Sequence, residues 1–246
     1  FPAVKLPGVP VNVREAVAAC MASQYAGWQI GVGKYFAMGS GPMRAAYGKE
    51  ALYDEIGCRE KPGRVVGVLE SGKLPPEEVI AYIAQRCGVD VNNVTLLVAR
   101  TASLAGGVQV VARSVETALH KLHELKFDLR RIVAGYGTAP LPPVAADDIG
   151  AIGRTNDAVL YGGRVSLYLT GDDDSIDEVG RQLPSSASPD YGQPFADVFK
   201  RYDGDFYKID PMLFSPAQVV MQNVETGRAD VFGRVDDAVL ARSFFG

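Results

Sequence analysis

Cysteine and histidine are scarce in this 246-residue chain, three of the first and two of the second. Cys20, Cys58 and Cys87 are odd in number, widely spaced and in no C-x-x-C arrangement. That argues against a disulfide framework or a cysteine-ligated zinc site, and it fits a reducing cytoplasm. Each reads as a small buried hydrophobe rather than a nucleophile. His120 and His123, even with Glu124 beside them, lack a third convergent ligand, so no metal is expected. No apolar run approaches bilayer-crossing length, which argues against a membrane protein. A basic excess is missing too: the net charge of −4 and pI near 5.3 argue against a nucleic-acid surface. An anionic ligand would have to be held by local geometry, because the overall field does not attract it. The chain opens Phe1-Pro2-Ala3, with neither an initiator methionine nor a charged segment leading an apolar core. No secretory signal is expected there, and the true beginning is expected upstream.

What the chain does contain is an ordinary globular composition, 47% hydrophobic and 22% charged, over a length that suits one to two domains. An apolar run from Trp28 to Met38 reads as a strand, ending in Gly39-Ser40-Gly41-Pro42. Two glycines around a serine, then proline at a first helical position, read as a strand-to-helix turn. Such a turn either cradles an anion on backbone N–H groups or is simply tight. From Gly63 the pattern alternates: strand 64–69, a helix opened by Pro75-Pro76-Glu77-Glu78 and closed at Gly88, strand 94–99, helix 108–125 and strand 131–134. This indicates an α/β (α+β) fold with at least partly parallel pairing. Residues 135–143, rich in Gly and Pro, read as a loop and a domain edge. A helix around 145–153, a strand 159–169, a helix start or turn at Asp172-Asp173-Asp174, an irregular loop 185–194, a hairpin about Glu225-Thr226-Gly227 and a short closing helix complete the chain.

The richest stretch runs from Thr101 to Glu124. Its loop, Thr101-Ala102-Ser103-Leu104-Ala105-Gly106-Gly107, has no bulky polar side chain, so its backbone can approach a ligand. Val108, Val111, Ala112, Val115, Ala118, Leu119 and Leu122 then form one apolar stripe at helical spacing. Gln109, Arg113, Glu116 and His120 fall on an adjacent stripe. Arg113 and Glu116, three residues apart, share a helix face, either as a solvated pair or as a catalytic one.

Several strings together resemble the methenyltetrahydromethanopterin cyclohydrolase family: Ser23–Ile30, Tyr35–Pro42, Thr101-Ala102-Ser103, Thr155-Asn156-Asp157, Asp190–Phe195 and Phe206–Pro211. They occur in the family's order across essentially the whole chain. The resemblance implies two layered α/β domains with a pterin pocket between them, placed here at residues 1–62 with 170–246 and at residues 63–169. It implies reversible hydrolysis of the N5,N10-methenyl bridge of a tetrahydropterin one-carbon carrier to the N5-formyl form, in a cytoplasmic homotrimer using no cofactor and no metal. The family's catalytic arginine and glutamate fall on Arg113 and Glu116. Gly39, Ser40, Gly41, Arg44, Thr101, Ser103, Gln109, Asn156, Asp157 and Tyr191 are the expected substrate-binding residues. Family members extend upstream of the residue matching Phe1, so an N-terminal segment is expected to be missing. Archaeal members tend to carry Lys where this chain has Tyr25, which would suit a carrier with fewer negative charges. The competing readings are the same chemistry on a folate carrier, and a non-enzymatic phosphate- or nucleotide-binding subunit built on Gly39–Gly41.

Overall fold

A computed structural model describes residues 7–205 and 208–246. In chain order the elements are β1 (Gly8–Val13), β2 (Trp28–Val32), β3 (Tyr35–Ser40), α1 (Met43–Tyr47), α2 (Leu52–Ile56), β4 (Val65–Glu70), α3 (Glu77–Cys87), β5 (Val94–Ala99), α4 (Leu104–Val111), α5 (Ser114–Glu124), β6 (Ile132–Pro140), α6 (Asp148–Leu160), β7 (Arg164–Leu169), α7 (Asp173–Gln182), α8 (Phe195–Arg201), β8 (Gln218–Asn223), β9 (Ala229–Gly233) and α9 (Asp237–Phe245). The mixed α+β class read from the sequence is the one observed. The chain forms two compact units, Val17–Thr101 and the remainder. This division falls elsewhere than at residues 62 and 169, because β4 and β5 join the sheet of β2 and β3, whereas β6 and β7 lie between β1 and β8. No helix among the described residues is long and apolar enough to cross a membrane.

The unit Val17–Thr101 is built on a four-stranded sheet ordered β2-β3-β4-β5. The strand expected over 28–38 is a hairpin instead. Val32 pairs with Tyr35 across a two-residue turn in which Gly33 takes φ +57°, a conformation that suits glycine. Strands β4 and β5 are parallel and joined through α3, which starts after Pro76, carries Glu77 and Glu78 in its first turn and stops at Gly88, φ +70°. Trp28, Ile30, Ala37, Met43, Val65, Leu69, Val79, Ile83 and Cys87 form the core.

The second unit holds a five-stranded sheet ordered β1-β6-β7-β8-β9, with only β7 and β8 parallel. The Gly- and Pro-rich stretch 135–143, expected to be loop, is strand as far as Pro140, where β6 ends, and irregular beyond it. The glycines are there for close approach: a Cβ on Gly135 would stand 2.7 Å from Val115 Cγ1, and one on Gly137 would stand 2.6 Å from Ser114 Oγ. Strand β6 is therefore smooth on the side where α5 packs, and glycine in a strand marks that approach rather than a break. Helix α6 runs on through Val159 and Leu160, so the strand expected over 159–169 is shorter, starting at Arg164. Asp172 caps α7 by accepting from Ser175 N–H, and β8 with β9 is the expected hairpin.

Candidate active site

The helix expected over 108–125 is two helices. Backbone bonds from Arg113 N–H to Val110 O and from Thr117 N–H to Arg113 O flank a break at Ala112-Arg113, and Arg113 (φ −80°, ψ 10°) becomes the N-cap residue of α5. Glu116 is thus the third residue of α5, in its first turn. The positive end of a helix N-terminus favours a carboxylate at this point. Glu116 is 5% exposed, so its charge is largely withdrawn from water. Arg113 is half-buried and donates from Nη2 to Gln109 Oε1 at 2.5 Å. The fold therefore joins Gln109 to Arg113 and sets Glu116 just beyond them, at the start of a helix lying on β6. Ser103 caps α4, its hydroxyl accepting from Gly106 N–H at 2.9 Å.

Lys121, further along α5, was not singled out from the sequence. It is 1% exposed, and its Nζ donates to Pro184 O at 2.9 Å and to Met212 O at 2.6 Å. Burial pushes its ammonium down to about 8, with the Asp210 charge acting the other way. The two segments it grips also grip each other. Ser188 Oγ donates to Asp210 Oδ2 at 2.6 Å, and Asp210 N–H donates to Asp190 Oδ2 at 3.3 Å. Asp190 is 6% exposed and also accepts from Arg201 Nη1 and the Tyr202 hydroxyl. These are the strings Asp190–Phe195 and Phe206–Pro211 noted above; Phe206 and Tyr207 lie outside the described residues. The sequence signal for Lys121 was its position, seven residues after Ser114 and three after Ala118, on the buried side of the helix.

On α6, Asn156 donates from Nδ2 to Ile152 O, one turn back. Asp157 is fully buried and its Oδ1 accepts from Phe195 N–H at 2.8 Å, capping the start of α8. Burial pushes its carboxyl up to about 7, against the pull of the Ser243 hydroxyl and the Phe195 amide. Tyr191 is half-buried with its ring centroid 5.0 Å from that of Tyr161. The Tyr161 hydroxyl in turn donates to Gln193 O and accepts from Gly192 N–H, fixing the turn that follows Tyr191.

In the unit Val17–Thr101, the strand-to-helix turn is closely packed. Gly39, Ser40 and Gly41 are buried, and the Gly41 amide donates to Ser23 O at 2.7 Å. Gly41 sits at φ +93°, and a Cβ there would meet the β4 backbone at Val66 O. Arg44 is 0% exposed. Its Nε and Nη2 hold Glu50 in a fork at 3.0 and 2.5 Å, and its Nη1 donates to Met21 O at 2.9 Å. The guanidinium lies 4.9 Å from the Tyr25 ring centroid and 5.6 Å from that of Tyr53. Together with the Tyr53 hydroxyl on Ala22 O and the Gly41 amide on Ser23 O, it satisfies the last carbonyls of the π-helical segment Val17–Gln24. Thr101 donates from Oγ1 to Glu70 Oε1 at 2.6 Å, at the carboxyl ends of the parallel pair β4 and β5.

Comparison with known proteins matches residues 2–244 to the family model described as Cyclohydrolase (MCH). A methenyltetrahydromethanopterin cyclohydrolase of Rhodopirellula baltica is 50% identical over 241 residues, 96% of this chain and 72% of the relative. One from Methylosinus trichosporium is 49% identical over 95% of this chain and 90% of its own length. One from Methanocaldococcus jannaschii is 46% identical over 98% of this chain and 75% of its own length.

Proposed function

The chain belongs to the methenyltetrahydromethanopterin cyclohydrolase family, and from that premise we propose that Glu116, steered by Arg113, carries its hydrolytic reaction. The substrate is the N5,N10-methenyl form of a tetrahydromethanopterin-type carrier, and the product is the N5-formyl form. The bridge is an amidinium-like cation, and water must add to its carbon. One observation carries the assignment: Glu116 is a nearly water-excluded carboxylate at the start of a helix, with a guanidinium three residues before it.

A carboxylate so placed is complementary to the cationic bridge and able to take a proton from the attacking water. Oxygen then bonds to the bridge carbon and the cation becomes a neutral tetrahedral adduct. The C–N10 bond breaks as N10 takes a proton and the adduct hydroxyl loses one to form the formyl carbonyl. The net yield is one released proton. Arg113, held to Gln109, orients Glu116 and the adduct oxygen. The remaining expected contacts in the unit that carries Glu116, from Ser103, Asn156 and Tyr191, belong to the same proposal. Arg44 with Gly39–Gly41 is better supported as internal framing, since each of its three guanidinium nitrogens already holds a protein oxygen. A homotrimer in the cytoplasm is proposed on the resemblance alone, and sedimentation of the full chain would check the assembly.

The test is ultraviolet-monitored hydrolysis of the methenyl carrier, run with methanopterin and folate forms. Glu116→Gln is expected to lose on the order of a hundredfold or more in kcat, the size of a general-base contribution. A loss of about tenfold, roughly 1.4 kcal/mol, would reduce Glu116 to positioning. Near-normal turnover in that variant removes it from the mechanism.

A further inference from the structure

We infer that Lys121 is a positioning residue for this reaction, tying the helix that carries Glu116 to the two loops that frame Tyr191. The inference rests on the reading of Glu116 and Tyr191 given above. Lys121 is buried and, among the described residues, bonds no carboxylate directly. Instead its ammonium reaches one main-chain oxygen in each of two segments, at Pro184 and Met212, 63 and 91 residues away in sequence. A buried ammonium is costly to desolvate, and a methionine would fill the same volume without that cost. What methionine would not supply is a donor that fixes two remote backbones against one helix.

The two segments are continuous with the groups of interest. Beyond Pro184 the chain makes a single 3₁₀ turn over Ser185–Ala187, reaches Ser188 and Asp190, and presents Tyr191. Before Met212 stands Asp210, which caps its own turn through Met212 N–H and holds Ser188 and Asp190 from the other side. The other end of the tie is α5, which packs on β6 and β7 and has Glu116 in its first turn. Movement of Pro184 or Met212 away from α5 therefore shifts Tyr191 relative to Glu116, and Lys121 is the side chain that opposes it from both segments at once. Such a residue should govern how well the carrier is held more than how fast the held carrier reacts.

The experiment uses Lys121→Met in the full chain, with KM and kcat for the methenyl carrier and amide hydrogen exchange over 183–192 and 208–214. The expected result is about tenfold faster exchange in both segments and a KM raised about tenfold, with kcat held within about threefold. Exchange along α6 should not change. Unaltered exchange in the two segments overturns the inference. Faster exchange with unaltered KM also overturns it, leaving a clamp with no bearing on the reaction. Should Lys121→Met not fold, Ser188→Ala loosens the same junction from Asp210 and should give the same pattern at about threefold; an unchanged KM there counts equally against it. Glu116→Gln measured alongside separates the two claims: full turnover in that variant removes the base, while the KM and exchange results still decide Lys121.

Discussion

Removing Glu50 should damage the protein more than removing Arg44, although the two form one ion pair. Arg44 has 0% side-chain exposure and Glu50 21%. In Glu50→Ala the guanidinium stays buried against Met21 O and two tyrosine rings without its carboxylate, and an uncompensated buried charge costs about 3–5 kcal/mol. In Arg44→Met the cation is gone, and the partly exposed carboxylate can turn to water. The losses are then the donor to Met21 O, about 1–3 kcal/mol, and the ring contacts, about 0.5–2 kcal/mol, offset by relief of the guanidinium's desolvation. A net of roughly 2 kcal/mol is expected, and the double variant should be less destabilised than Glu50→Ala alone. Urea unfolding read by Trp28 fluorescence suits the question, because Trp28 is the sole tryptophan and stacks on Tyr47 at 4.3 Å within the same unit. Cyclohydrolase KM should hold within about twofold in Arg44→Met. Equal destabilisation by the two single variants would refute the burial argument. A tenfold rise in KM at unchanged stability would show that Arg44 reaches the substrate after all.

Asp157 should give stability a pH dependence in the acid range. Its carboxyl lies at about 7 in the folded chain against an ordinary 3.8, so the folded form holds a proton that the unfolded chain releases. The resulting stabilisation is complete below about pH 4 and is lost progressively as pH rises to about 7, by roughly 4 kcal/mol at most. Asp157→Asn keeps an acceptor for Phe195 N–H and should flatten the fall over that range; an unchanged slope assigns it to other groups. Gly135→Ala and Gly137→Ala should each cost about 1–3 kcal/mol and lower kcat, because the added methyl meets Val115 or Ser114 and lifts α5 from the sheet. Gly31→Ala, with no atom within 4 Å of its Cβ, is the control and should be neutral or slightly stabilising in thermal unfolding.

Local patterns in the sequence were enough for α3, β4, β5 and the β8–β9 hairpin, and left α7 open as a helix start or a turn. Each has its own signal: paired prolines and acids at a helix start, an apolar run of strand length, a turn string between two apolar runs. Arg113 and Glu116 stood out by their spacing, and the role proposed for them comes from the family strings. Two errors came from glycine, one missed as a turn and one mistaken for a break. Gly33 turns a single long run into a hairpin, while Gly135 and Gly137 continue a strand, and which of these glycine does depends on whether another element presses against it. Tertiary contact alone decided the rest. The helix break that makes Arg113 a cap, the burial of Arg44 on Glu50, and the reach of Lys121 to Pro184 and Met212 join residues up to 91 positions apart. Side-chain periodicity records which face of an element is buried, but the partner that covers it is set by how strands pair and helices pack.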